Sequence, residues 1–378
     1  MVTRLALLAG EASGDVLGAS LMRAMKTQIP ELEFEGIGGN KMTAGGLQSQ
    51  VDMERLSVMG LFEPLKRLPE LLRIKRNYID HCIANPPDLF VGIDSPDFNL
   101  RVAAELHQHG VRTAHYVSPS VWAWRQKRVF KIKQSVDLML TLFPFEAAFY
   151  EQHDVPVRFV GHPLADELPL QPDKSAFRSE LMLKDGTTYV AVLPGSRRGE
   201  SARMMPVFLE SMQWLSERRP DVHYLVPAAN AVIRQALDDM LAGHALSEQI
   251  TVFDGRSQTV MGAADAILLA SGTSTLEAML LKTPMVMAYK VSAATYAIVK
   301  HMVKSEFFAL PNLLAGESLV PEFIQQDAQA DVLGAALLAE LEDESRKTSL
   351  QARFLDIHHQ LRMDASAQAA EALAELMS

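Results

Sequence analysis

Short apolar runs that close on a glycine or a polar residue alternate along this chain with longer stretches of mixed character. That alternation is how parallel βα units read in sequence, so the pattern predicts an α/β protein. In the first half the predicted strands are Leu5–Leu8, Glu33–Ile37, Leu89–Ile93, Thr113–Val117, Asp137–Leu142 and Val157–Val160, with helical stretches between many of them. The rhythm restarts with Tyr189–Leu193, His223–Val226, Ile250–Phe253, Ala266–Leu269 and Pro284–Ala288. Two similar sheets thus follow one another. The proline-rich polar stretch 162–173, containing Pro163, Pro169, Pro172 and Asp173, reads as the link between them. From Asp327 onward Ala, Leu, Glu and Gln dominate with apolar residues at helical spacing, so the chain is expected to end in helices. Open parallel sheets bind ligands beyond the carboxyl ends of their strands, which makes a cleft between two such domains the expected place for chemistry.

Composition narrows the partners more than the fold. A chain of 378 residues exceeds what one hydrophobic core usually supports, and 48% hydrophobic residues can fill two. Thirty-six basic residues against 46 acidic ones leave a net charge of −10, which disfavours a nucleic-acid partner. The lone Cys82 can form neither an internal disulfide nor a multi-cysteine metal site. No apolar run approaches the roughly 18 residues that cross a bilayer. The N-terminus has Arg4 and only a short apolar run before Glu11 and Asp15, without the form of a secretory signal, so a cytosolic location is expected.

Several strand ends carry chemistry. Gly10-Glu11-Ala12-Ser13-Gly14-Asp15 is a tight turn opening a helix, where backbone N–H groups can approach an anion or merely be capped. It has neither the P-loop pattern nor the dinucleotide glycine spacing. Gly36-Ile37-Gly38-Gly39 is a weaker signal of the same kind. Asp94 closes the strand Leu89–Ile93 and is suited to act as a general base, whereas Asp97 suits a helix cap. In the segment 117–128, Trp122 and Trp124 stand beside Arg125, Lys127 and Arg128, a surface for a ligand with an apolar or sugar face and a phosphate, or else a core edge with solvated cations. Gly195, Ser196 and Arg197 end the first strand of the second half. Ser271, Gly272, Thr273 and Ser274 begin a later helix with Glu277 one turn in. Together these two stretches read as a nucleotide-diphosphate pocket, with the carboxylate suited to a ribose. Residues 61–76 carry five basic side chains against two acids and apolar residues at 61, 65, 68 and 72. Leu61, Phe62, Leu65, Lys66, Arg67, Leu68, Leu72 and Arg73 form the candidate patch for an anionic lipid surface, a core-facing helix being the plainer alternative. Pro64 and Pro69 are expected to interrupt any long helix there.

The turn at 10–15, Val91-Gly92-Ile93-Asp94-Ser95-Pro96-Asp97-Phe98-Asn99, His115 through Arg125, Leu193-Pro194-Gly195-Ser196-Arg197, Ser271-Gly272-Thr273 with Glu277, and Leu310-Pro311-Asn312-Leu313-Leu314 together resemble the lipid-A-disaccharide synthase family over nearly the whole chain. The resemblance implies two Rossmann-like domains of the glycosyltransferase B fold facing an interdomain cleft, at 1–165 and 166–345, with 346–378 returning to the first. It implies inverting transfer of 2,3-diacylglucosamine from its UDP donor to 2,3-diacylglucosamine 1-phosphate, giving a β-1,6 disaccharide and UDP. Under it Asp94 is the base with Asp97 in reserve, and Arg197 and the 271–274 helix start neutralise the departing UDP. Glu277 takes the ribose, Asn312 serves the donor or the closed cleft, and Glu11, Ser13, Trp124 and Arg125 meet the acceptor sugar. No metal or other cofactor is called for. The expected partners are the two lipid substrates and the anionic cytoplasmic face of the inner membrane, with a homodimer left open. Two rivals are a UDP-sugar epimerase of the same fold and a non-catalytic sugar-binding protein.

Overall fold

The computed structural model describes residues 3–56, 63–299 and 302–378, with the backbone alone at 63–66, 294, 298 and 299. The chain divides into two compact units, one made of residues up to Asp166 with Leu361–Ser378 and the other of Glu167–Gln360.

In the first unit, seven parallel strands are β1 (Arg4–Ala9), β2 (Glu33–Ile37), β3 (Gln48–Ser49), β4 (Leu89–Ile93), β5 (Thr113–Tyr116), β6 (Leu138–Thr141) and β7 (Val157–Phe159). They lie in the order β3-β2-β1-β4-β5-β6-β7. The central strands read as unbroken apolar runs because both faces are covered: Leu5 to Ala9 are all fully buried. One face packs on helix Ala12–Gln28, the other on helices that contribute Ile74, Tyr78, Val102, Leu106, Val129, Ile132 and Tyr150.

The second unit holds β8 (Thr188–Leu193), β9 (Val222–Ala228), β10 (Ile250–Asp254), β11 (Ala266–Ala270), β12 (Met285–Tyr289) and β13 (Glu322–Ile324), also parallel, in the order β10-β9-β8-β11-β12-β13. Every strand read from the sequence is present. The two strands not read, β3 and β13, are short outermost strands of two and three residues without a fully buried side chain, so neither carries an apolar run.

The last helix, Ala365–Met377, belongs to the first unit and packs on helix Ala12–Gln28 through Ala369, Ala370 and Leu373. Alanines let the two backbones come close. Asp166 accepts from the N–H groups of Asp364 (2.9 Å) and Ala365 (2.7 Å) at the start of that helix, and Arg158 pairs with Glu375 at 2.7 Å. Residues 346–360, expected with the first domain, lie in the second unit instead. Phe354 and Ile357 are buried there, Gln351 donates to the Lys282 carbonyl and Arg353 pairs with Glu317. The chain returns only at Leu361.

Pro69 does not break its helix, contrary to the sequence expectation: Glu63–Ala84 is one helix of 22 residues. The core side begins at Ile74 and continues through Tyr78, Ile79 and Cys82, while Leu68 and Leu72 are 45% and 47% exposed. Arg73 is exposed, and Arg67 is tied to Glu70 and to the Arg55 carbonyl. Leu61 and Phe62 lie outside the described residues, as do the side chains of Leu65 and Lys66.

Candidate functional site

In each sheet one pair of neighbouring strands sends its chain off in opposite directions, and that switch point opens a crevice at the carboxyl edge. In the first unit the pair is β1 and β4, whose following loops are Gly10–Glu11 and Asp94–Ser95. Asp94 and Ser95 have φ of +53° and +41°, two successive left-handed residues that are not glycine. Such a backbone costs on the order of 1–3 kcal/mol per residue and persists only where its surroundings impose it.

Asn99 imposes it here. Fully buried, its side-chain NH₂ is shared among the carbonyls of Leu8 (3.1 Å), Ile93 (3.1 Å) and Asp94 (2.7 Å), tying the ends of β1 and β4 together. Gly92 makes room for it, since a Cβ there would lie 2.7 Å from the Asn99 Cβ. The Asp94 N–H donates to the Tyr116 carbonyl at 2.9 Å, and Ser13 Oγ donates to Asp94 Oδ2 at 3.1 Å. Asp94 is thereby a half-buried carboxylate fixed in place. Ser13 and Glu11 are exposed at the start of helix Ala12–Gln28.

Asp97 sits differently. It is 81% exposed on its side chain and pairs with Arg128 at 2.7 Å, in the first turn of helix Pro96–Gln108. The exposed Trp124 ring carries the Arg125 guanidinium at 4.4 Å. Among the described residues no hydrogen bond or ring contact joins this pair to Asp94, Glu11 or Ser13. The glycine run at 36–39 is structural: Asp15, buried, accepts from the N–H groups of Gly39, Lys41 and Met42 at 2.9–3.0 Å.

Three groups of the first unit, the buried His115 within β5, the buried Glu146 in helix Pro144–Glu151 and the partly buried His162 after β7, carry shifted protons of which the sequence shows no sign. Burial pushes Glu146 up to about 8, although the Phe143 N–H donates to it, and pushes His162 down to about 4 and His115 down to about 3. Near neutrality all three are chiefly uncharged, the form a desolvated site favours.

In the second unit the switch point lies between β8 and β11. Gly195, Ser196 and Arg197 from the loop after β8, and Ser271, Gly272, Thr273, Ser274 and Glu277 from beyond β11, all line one cavity of about 530 Å³. The volume is in the range of sites for ligands of nucleotide size. Gly195 has φ +113°, and a Cβ there would stand 2.4 Å from Glu200 Oε2, so only glycine fits this turn. Among the lining residues Arg197 is the one cation, beside two carboxyls. Burial raises Glu277, and it raises Glu200 against the opposing pull of Arg197. Glu200 was missed in sequence because three residues into a helix it reads as an ordinary capping acid. The helix beginning at Ser274 has only seven residues, so exposed backbone and hydroxyl donors matter more there than a macrodipole.

Asn312 is corrected. It is fully buried, its NH₂ donates to the Val320 carbonyl (2.9 Å) and Glu322 Oε1 (2.6 Å), and its Oδ1 accepts from the N–H groups of Leu319 and Val320, both at 2.8 Å. Two donors and two lone pairs are then all engaged, leaving none for a ligand. Its role is to hold the chain before β13. The neighbouring Leu310 N–H donates to Thr275 Oγ1 at 3.1 Å, which connects this scaffold to the helix that lines the cavity. Among the described residues no group of three His, Cys, Asp or Glu is placed to hold a metal ion, and no helix is long and apolar enough to cross a membrane.

Two parallel Rossmann-like sheets, one ending in a fixed carboxylate and the other in a glycine- and hydroxyl-lined cavity with a single arginine, define the glycosyltransferase B fold. The fold is shared with the calicheamicin glycosyltransferase CalG4 (TM-score 0.61, 14% identity, 100% of this chain and 98% of that one). It is shared equally with a UDP-GlcNAc 2-epimerase from Neisseria meningitidis solved with UDP-GlcNAc (TM-score 0.64, 11% identity, 99% and 100%). The lipid-A-disaccharide synthetase family matches residues 5–376, and the lipid-A-disaccharide synthase of Hahella chejuensis is 54% identical over 374 residues, covering 99% of this chain and 94% of the relative. The chain belongs to the lipid-A-disaccharide synthase family.

Proposed function

We propose that this protein joins UDP-2,3-diacylglucosamine to 2,3-diacylglucosamine 1-phosphate, forming the β-1,6-linked disaccharide 1-phosphate and releasing UDP. The observation that carries the reading is the cavity of the second unit, lined from both switch-point loops by all eight residues expected to bind UDP, in a chain of this family. In the proposed step Asp94 takes the proton of the acceptor 6-hydroxyl as its oxygen bonds to the donor anomeric carbon. The bond from that carbon to the diphosphate breaks, and the electron pair leaves with UDP. A single displacement inverts the α-linked donor. Arg197 and the N–H and hydroxyl donors at 271–274 offset the charge growing on UDP, while Glu277 binds the ribose hydroxyls. Glu11 stands on the acceptor side, and Ser13 orients Asp94. The exposed Leu68, Leu72 and Arg73 are proposed to meet the anionic cytoplasmic face of the inner membrane, which supplies both lipids.

The epimerase reading shares the fold but gains nothing from the family match. Incubation with both lipid substrates, followed by mass spectrometry, is expected to yield the disaccharide 1-phosphate. Conversion of UDP-N-acetylglucosamine to its 2-epimer, with no lipid acceptor and no disaccharide from the lipid pair, would favour the epimerase instead.

A further inference from the structure

The stretch Trp124-Arg125-Gln126-Lys127-Arg128-Val129-Phe130-Lys131-Ile132-Lys133 carries five cations and no acid, in a chain whose net charge is −10. Val129 and Ile132 are buried in the core of the first unit, which fixes the way this short turn-and-helix faces. Lys127, Phe130 and Lys131, spaced i, i+3 and i+4, therefore share the outward side. Phe130 is 58% exposed and Trp124 is 38% exposed with Arg125 laid over its ring. Asp97 and Asp154 answer Arg128 and Lys133, so the unbalanced charge of the stretch rests on Arg125, Lys127 and Lys131, which it carries together with the two exposed rings. A solvated basic edge would not need exposed rings, and a protein-core edge would not leave them exposed.

We propose that the face formed by Trp124, Arg125, Lys127, Phe130 and Lys131 docks on an anionic phospholipid surface, the cations meeting headgroup phosphates and the rings entering the interfacial layer. Charge complementarity carries the choice of occupant: concentrated positive charge on an acidic protein selects a polyanionic surface, and exposed aromatics in the same stretch select one with an apolar boundary. This reassigns Trp124 and Arg125 from the acceptor sugar to the bilayer. It rests on the reading that the protein works on membrane lipids, and adds a second contact to that of Leu68 and Leu72.

Co-sedimentation of the full chain with vesicles of phosphatidylglycerol and phosphatidylcholine, compared with phosphatidylcholine alone, tests it. Lys127→Glu with Lys131→Glu is expected to weaken partitioning to the anionic vesicles at least tenfold, and Phe130→Ser severalfold, with unchanged circular dichroism and unchanged UDP affinity. A second measurement needs no folded charge variant: lipids brominated along their chains should quench the fluorescence of the wild type more than that of Trp124→Phe. Undiminished binding by both variants together with equal quenching would overturn the proposal, and so would release of the wild type by inorganic phosphate at constant ionic strength, which would mark a small-anion site. If Leu68→Ser with Leu72→Ser releases the protein while the Lys127 and Lys131 variant stays bound, the other face alone is the anchor. If the wild type ignores anionic vesicles, both lipid contacts fall, while disaccharide synthesis in detergent still judges the proposed reaction separately.

Discussion

The carboxylate of Asp94, proposed as the base, is held by backbone that its own side chain does not make. Asp94→Asn keeps the shape but cannot accept a proton, so turnover is expected to fall by roughly 10²–10⁴ with UDP affinity unchanged. Initial rates and calorimetry on the same preparation check this. Asp97→Asn, which removes only an exposed pair with Arg128, should keep most of the activity; a crippled Asp97→Asn beside an active Asp94→Asn would reverse the two roles. Arg197→Ala should lower turnover about a hundredfold, near 3 kcal/mol, with the urea midpoint hardly moved. Glu146 gives a signed pH effect. Its proton is held to about 8 when folded against the ordinary carboxyl value of 4.5, so the folded state binds more protons than the unfolded one between those values, and stability is lost as pH rises through that window. Glu146→Gln is expected to match the wild type at pH 4 and to be the more stable at pH 8. Equal urea midpoints at pH 8 would mean the carboxyl is solvated.

At the scale of elements, the sequence was legible wherever burial dictated residue type. Strands β1, β4, β8 and β11 are covered on both faces, so they read as apolar runs, and the glycine and hydroxyl residues that end them mark the switch points in both sheets. The eight cavity residues were found for that reason. What stayed illegible depends on partners distant in sequence: Asn99 looks like a polar helix residue until Leu8, 91 positions away, is seen to accept from it. The role that the family resemblance implies for Asn312 conflicts with its surroundings, since residues 319–322 consume its hydrogen bonds and nothing local in the sequence reveals it. Pro69 leaves its helix unbroken because the buried stripe starting at Ile74 outweighs one missing N–H, a balance that the proline alone does not show. These dependences have a measurable counterpart in Gly92→Ala, whose new methyl would press on Asn99. A loss of about 1–3 kcal/mol is expected, accompanied by reduced turnover but normal UDP binding, since the damage lies at the end of β4.

For the whole molecule, the return of the chain at Leu361 makes its last 18 residues part of the first unit, although they are farthest from it in sequence. Truncation after Gln360 would uncover the apolar side of helix Ala12–Gln28 and remove the Arg158–Glu375 pair. Hydrogen exchange should then rise throughout residues 3–56 and 89–166 and stay low in the second unit. The proposed reaction divides the labour, the first unit supplying the base and the second holding the nucleotide. Single-turnover formation of disaccharide 1-phosphate from the two lipid substrates, with wild type and Asp94→Asn both loaded with UDP-2,3-diacylglucosamine, tests it most directly. Equal donor occupancy and a bond-forming rate lower by roughly 10²–10⁴ are expected in the variant; an equal rate at equal occupancy, or a donor that no longer binds, would contradict the proposed division of labour.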